Sequence, residues 1–215
     1  MKYFFSALCI AVLLSFVWRY YFDIYRVTNH SMHPTLLDGD KVLVKKRAGT
    51  DIARESIVLF NQAGSVYIKR CIGMPGEKLE IRAGKVVIND SAVDTAFTSS
   101  VPDTAINQII LAFYGHTWSN DNFGPVVIPK AGLTIDLNGN STAIYSEAIQ
   151  QETGISESNE WARFLADNRQ YTFKKDYFFM LGDNRHHSED SRTFGYIERG
   201  NIVGVMQRVL FSSAH

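Results

Sequence analysis

Two cysteines in 215 residues, Cys9 and Cys71, are too few for a disulfide-stapled scaffold or a four-cysteine metal site. Neither sign of charge is in excess. The 22 Lys and Arg balance the 22 Asp and Glu, which argues against a nucleic-acid binder relying on a whole-protein positive field. There is no internal repeat and no low-complexity tract. What is present is ordinary globular material, 46% hydrophobic and 20% charged, in a chain long enough for one or two cored domains. Aromatics are on the high side at 13%, and many stand near the N-terminus.

Residues 3–18, YFFSALCIAVLLSFVW, carry no charge, Gly or Pro. A spanning helix needs about 20 residues, with a lower limit of about 17. Tyr20, Tyr21 and Phe22 extend the run to that length if Arg19 snorkels to the interface. A cleavable signal peptide would show a small-x-small site after the run, whereas Trp18-Arg19-Tyr20-Tyr21 is bulky. Aromatics at both ends fit an interfacial belt, and the lack of a polar face disfavours a buried core helix. The expectation is a transmembrane anchor over 1–22. Charge fixes its orientation weakly, with Lys2 on one side and Arg19 and Arg26 on the other. The short N-terminal tail favours N-terminus inside and the bulk of the chain outside, with Cys9 in lipid and unable to pair with Cys71.

After that run the turn signals are dense: Asp38-Gly39, Ala63-Gly64, Pro75-Gly76, Ala83-Gly84 and Asn89-Asp90. Between them lie short β-rich runs at 41–45, 56–60, 65–72, 78–82 and 85–88. Further strand candidates are 132–137, 169–173, 177–181 and 202–211. Short strands with regular turns predict a mostly β domain. Residues 91–130 read as irregular, with one apolar run at 106–114 and a turn signature at 120–125. Helical spacing marks 141–153 and 157–165, with Ser156 as a cap for the second. The expected organisation is therefore an anchor (1–22), a β domain (23–80 and 171–215) and an inserted mixed α/β unit (81–170).

Three segments carry candidate chemistry. Ser31 lies on a Pro-limited stretch that Pro34 biases away from helix. A serine nucleophile needs a base. His30 and His33 flank it, but neighbours in sequence point their side chains apart, so both read as surface residues. Zinc held by His30, His33, His186 and His187 is disfavoured by the absence of helical i, i+4 spacing and of HExxH. Lys69 lies on a strand candidate with Tyr67 and Cys71 on its face. It is either an edge lysine that resists aggregation or a desolvated amine able to act as a base. Residues 181–192, LGDNRHHSEDSR, hold Asp and Arg side chains able to lock a loop through bidentate bonds. A calcium loop is disfavoured because Arg185 and Arg192 would compete with the ion.

Together these segments resemble bacterial type I signal peptidases, the membrane-anchored Ser–Lys leader peptidases. Residues 31–40, SMHPTLLDGD, resemble the nucleophile motif SMxPTLxxGD. Tyr67-Ile68-Lys69-Arg70 with Gly73-Met74-Pro75-Gly76-Glu77 resembles YIKRxxGxPGD. Gly182-Asp183-Asn184-Arg185 with Ser188, Asp190-Ser191-Arg192 and Gly195 resembles GDNRxxSxDSRxxG. The order is right and the motifs frame nearly the whole region beyond the anchor. Thr28, Asn29 and His30 depart from residues common before the nucleophile. Glu77 stands where Asp is usual, and Arg54-Glu55 replaces a Gly-Asp start.

The resemblance implies a coiled antiparallel β-sheet fold and a set of roles. Ser31 is the nucleophile and neutral Lys69 its general base, with Ser188 orienting Lys69. Asp190 and Arg192 hold the loop, supported by Asp183 and Arg185. The Ser31 N–H forms half of the oxyanion hole; Asn29, where the family often has Ser or Gly, departs from the pattern and is the candidate second donor through its amide. Val27, Met32, Leu36, Tyr67 and Ile68 line shallow pockets for small side chains. The implied activity is cleavage of signal peptides from exported preproteins after an Ala-x-Ala-like pattern. No metal or organic cofactor and no nucleic acid are implied. The implied partners are preproteins and the bilayer, and the chain is expected as a monomer in the cytoplasmic membrane with its catalytic domain outside. The rivals are a pilin-maturing, conjugation-type peptidase of the same clan and a non-catalytic preprotein-binding paralogue.

Overall fold

The computed structural model describes residues 18–46, 52–93 and 118–212. Most of the expected anchor and the apolar run at 106–114 fall outside them. No helix among the described residues is long and apolar enough to cross a membrane.

A seven-stranded antiparallel sheet organises the chain. It comprises β1 (Phe22–Arg26), β2 (Lys41–Lys46), β3 (Ile57–Gln62), β4 (Ser65–Gly73), β11 (Tyr177–Leu181), β12 (Ile197–Glu198) and β13 (Ile202–Phe211). The spatial order is β1-β2-β13-β3-β4-β11-β12. Side-chain alternation along each strand sorts the core. In β11, Phe178 and Met180 join Val58, Phe60 and Cys71 on one face, while Tyr177, Phe179 and Leu181 point to the other. Every residue of β11 is buried, so it reads as a continuous apolar run between two covered faces. Each such side chain, fully buried, contributes roughly 1.5–3 kcal/mol. Ile57 and Leu59 of β3 leave by the opposite face to Val58 and pack with Val27, Met32, Leu36 and Val42.

The second sheet, β7-β6-β5-β8, uses β5 (Lys78–Arg82), β6 (Lys85–Ile88), β7 (Ser91–Ala92) and β8 (Phe123–Val127). It shares one apolar cluster with the first sheet, in which Leu79, Ile81 and Val126 meet Ile72 and Phe179. The turn signature expected at 120–125 is half strand: Phe123 onward pairs with β5. A hairpin-like pair, β9 (Thr134–Asp136) and β10 (Gln170–Thr172), brackets helices α1 (Gly139–Thr153) and α2 (Ser158–Asp167). Asn138 caps α1 by accepting from the N–H groups of Asn140 and Ser141, and the Ser141 hydroxyl accepts from the Asn138 N–H in return. Tyr145, Ala148 and Ile149 form the buried stripe of α1. Glu152, near its end, accepts from the Tyr171 and Tyr177 hydroxyls and from the N–H groups of Lys174 and Lys175, fixing the helix to the strands beneath. The cap expected of Ser156 is not made. Glu157 precedes the first turn of α2, with no side-chain cap bond.

Candidate active site

The Ser31 segment is a coil of tight turns, not the extended stretch expected from Pro34. His33 N–H donates to His30 O and Leu36 N–H to Met32 O. Its base is pinched shut, since Val27 N–H donates to Asp40 O and Gly39 N–H to Val27 O. Met32 and Leu36 are fully buried and anchor the loop from below, whereas His30 and His33 are exposed. Ser31 itself is 5% exposed. Its Oγ accepts from Lys69 Nζ at 2.7 Å and donates to Asn29 Oδ1 at 2.7 Å. The Ser31 backbone N–H also points at Asn29 Oδ1, at 3.1 Å.

Lys69 lies on β4 opposite Val58 of β3 and is 1% exposed. The Tyr67 ring, two residues back on the same face, has its centre 5.5 Å from Nζ. Burial of the ammonium lowers the Lys69 pKa to about 8, and the negative charges of Asp190, Glu189 and Asp183 oppose a larger fall. A buried amine in contact with a serine hydroxyl is the pairing that nucleophile activation requires.

The loop from Gly182 to Arg192 is held by two buried ion pairs. Arg70, next to Lys69, grips Asp183 in bidentate fashion, Nε to Oδ1 at 2.8 Å and Nη2 to Oδ2 at 2.6 Å. Arg192 grips Asp190 likewise, at 2.8 Å on both contacts. Asp190 also accepts from the Gly182 N–H. Burial alone would raise its carboxyl pKa, but the charge and hydrogen bonds of Arg192, with Gly182 and the nearby Ser188 hydroxyl, hold it below the usual value. Arg192 reaches further, to Arg185 O and Asn120 O, and so ties the loop to the bend that leads into β8. Asn184 fastens the loop to the Ser31 segment: its N–H donates to Ser31 O and its Nδ2 to His30 O. Gly182 packs where no side chain fits, because a Cβ there would collide with Ser188 and lie 2.6 Å from Ser31 O.

The family model for signal peptidase, peptidase S26, matches residues 1–211. The chain belongs to this family. Among curated signal peptidases, signal peptidase I of Bacillus amyloliquefaciens and signal peptidase I T of Bacillus subtilis are each 29% identical over 212 residues, covering 96% of this chain and 83% of theirs. Signal peptidase I of Buchnera aphidicola is 25% identical, covering 96% of this chain and 74% of its own. A solved signal peptidase I from Enterococcus faecalis is 19% identical with a TM-score of 0.40, over 72% of this chain and 96% of that one.

For a signal peptidase, the structure brings Ser31 and Lys69 together, with Asp183, Asp190 and Arg192 beside them. Several expected details differ. Asn29, the candidate amide donor, presents its oxygen to Ser31, accepting from both the Ser31 N–H and hydroxyl. Ser188 Oγ is buried without a partner in hydrogen-bond geometry, so it does not bond Lys69 here. Asp183 is held by Arg70, and Arg185 Nε donates to Gly182 O. Burial and the neighbouring Arg192 charge lower the Arg185 pKa to about 10. A cavity of about 90 Å³ is lined by Val27, Asn29, Leu59, Tyr67 and Ile68 among others. That is well below the ~300 Å³ at which pockets for larger ligands begin. Met32 and Leu36, expected on pocket walls, lie beneath in the core and do not line this cavity. Arg70, Gly182 and Asn184 hold the site without having been singled out. All three stand inside the quoted motifs, but their partners are far away in sequence.

Proposed function

We propose that this chain works as a signal peptidase I, a membrane-anchored serine endopeptidase that removes signal peptides from exported preproteins. The observation that carries the mechanism is the 2.7 Å contact between a buried Lys69 amine and the Ser31 hydroxyl. In its neutral form Lys69 takes the hydroxyl proton as Oγ attacks the scissile carbonyl. The same proton then passes to the departing amine, leaving an ester on Ser31. Water, deprotonated by Lys69, hydrolyses that ester and returns the proton to Oγ. The Ser31 N–H stabilises the oxyanion in both steps, with Asn29 beside it. Ser188 is assigned to Lys69 as an orienting hydroxyl that engages once substrate arrives, since its buried Oγ has no other partner in hydrogen-bond geometry.

Substrate binds extended along residues 27–29 and 67–68, and the small cavity there selects small side chains before the cut. Residues 1–22 anchor the enzyme in the cytoplasmic membrane as a monomer with the β domain outside, which concentrates it where cleavage sites emerge. The unit inserted at 81–170 buttresses the loop that carries Asp190 and Arg192.

The test is a cleavage assay in detergent or lipid on a preprotein with Ala at −1 and −3, comparing the wild type with Lys69→Ala and Ser31→Ala. A single cut after the −1 Ala, lost in both variants, is the expected result. A folded wild type that leaves this substrate intact would overturn the assignment and point to a pilin-type substrate or a binding role.

A further inference from the structure

A position that will hold an oxyanion must be within about 3 Å of the donor N–H and next to the attacking oxygen. In this protein that position is filled. Asn29 Oδ1 lies 3.1 Å from Ser31 N and 2.7 Å from Ser31 Oγ, so one amide oxygen accepts from both groups at once. The arrangement is an Asx turn, in which an Asn side chain bonds the backbone N–H two residues on. It also holds the Ser31 proton away from Lys69, because the hydroxyl donates to Asn29 while accepting from the amine. The oxygen therefore stands in for a substrate carbonyl in the donor's reach and diverts the nucleophile's proton.

We propose that Asn29 closes the oxyanion position of the resting enzyme with its own amide oxygen and opens it by turning the amide when substrate arrives. Half a turn about the Cβ–Cγ bond exchanges Oδ1 for Nδ2. The Ser31 N–H is then free for the substrate oxygen, the hydroxyl turns its proton to Lys69, and Nδ2 supplies a second donor to the developing charge. The residue is thus an acceptor at rest and a donor during the reaction, which an amide can do and a carboxylate cannot. Asn29 is exposed and lines the cavity assigned to substrate, so an incoming peptide meets it directly. The proposal rests on the signal-peptidase assignment above.

Asn29→Asp and Asn29→Gly separate this device from a merely structural turn. If Asn29 only shapes the loop, Asp keeps the Asx bond that Gly loses, so Gly is the worse variant. If the amide must turn, Asp is the worse variant. Its carboxylate keeps the position closed with either oxygen, offers no donor and repels the oxyanion, whereas Gly leaves the Ser31 N–H open. The expected loss in limiting kcat is about 10²-fold or more for Asp, as for removal of an oxyanion donor. For Gly it is roughly tenfold, with KM little changed in both. Full pH–rate profiles are recorded so that limiting values are compared and any effect of the new charge on Lys69 drops out. Asn29→Ser, which can both accept and donate, is expected to stay above Gly and covers the case in which one variant misfolds. Asp turning over as fast as Gly or faster would overturn the proposal while leaving the enzyme's assignment intact. A folded wild type that cuts nothing would overturn the assignment, and this device with it.

Discussion

Replacing Lys69 by Met should abolish cleavage and at the same time make the protein more stable. The two effects come from the same burial. A lysine with a pKa of about 8 is neutral in about one molecule in ten at pH 7, against about one in 3,000 for an ordinary lysine near 10.5. The buried site thus raises the reactive population about 300-fold. The sign of the stability effect follows by linkage. The unfolded chain binds the Lys69 proton up to pH ~10.5, while the folded chain gives it up near 8. Folding therefore carries a penalty that is fully present below pH ~8 and disappears as pH rises through that window. The shift corresponds to at most about 3 kcal/mol at pH 7. Methionine fills similar volume, and Ser31 Oγ keeps its bond to Asn29, so most of that penalty should be recovered. Thermal unfolding in detergent should show Lys69→Met melting higher, at about 2–4 °C per kcal/mol for a chain of this size. Its advantage should shrink between pH 8 and 10. The wild-type kcat/KM should rise tenfold per pH unit and level off near pH 8. An inactive Met variant that melts lower than wild type at pH 7, or a rate that levels off near pH 6 and is lost on removing a histidine, would refute the reasoning.

Arg192→Met should destabilise the fold by about 3–5 kcal/mol, because it strands the fully buried Asp190 carboxylate; chemical denaturation with the wild type alongside measures it. Gly182→Ala should lower kcat far more than it lowers melting temperature, since the new Cβ pushes on Ser31 O and Ser188 and so shifts the nucleophile directly. Unchanged kcat in a folded Gly182→Ala enzyme would show that this close packing does not position Ser31.

Local signals in the sequence located elements better than partners. Residues 41–45, 65–72, 78–82, 85–88 and 202–211 are strands because each alternates or runs apolar between turn residues, and those signals are short-range. Strand β8 was hidden because Asn120 to Pro125 has turn chemistry, and only pairing with Lys78, Leu79 and Ile81 makes its end a strand. Sheet order was not legible, since nothing local says that residues 202–211 slot between β2 and β3. The same limit applies at the site. Ser31 and Lys69 stand out by motif, but Arg70 meets Asp183 across 113 positions. Met32 and Leu36 look like pocket walls in a motif and turn out to be the loop's foundations, because a coiled loop needs apolar ballast. A one-residue motif reading also gives no orientation, which is why Asn29 could be assigned as a donor while its oxygen faces Ser31.

Strand β13 bears on how Ser31 and Lys69 are brought together. Ser31 hangs from the β1-β2 edge of the large sheet and Lys69 from the β3-β4 side, and among the described strands β13 lies between the two halves. Pairing of β13 on both of its sides is therefore a condition for the 2.7 Å contact between Ser31 and Lys69. A substitution that unzips β13 from β2 or β3 should then silence the site from a distance, without touching either residue.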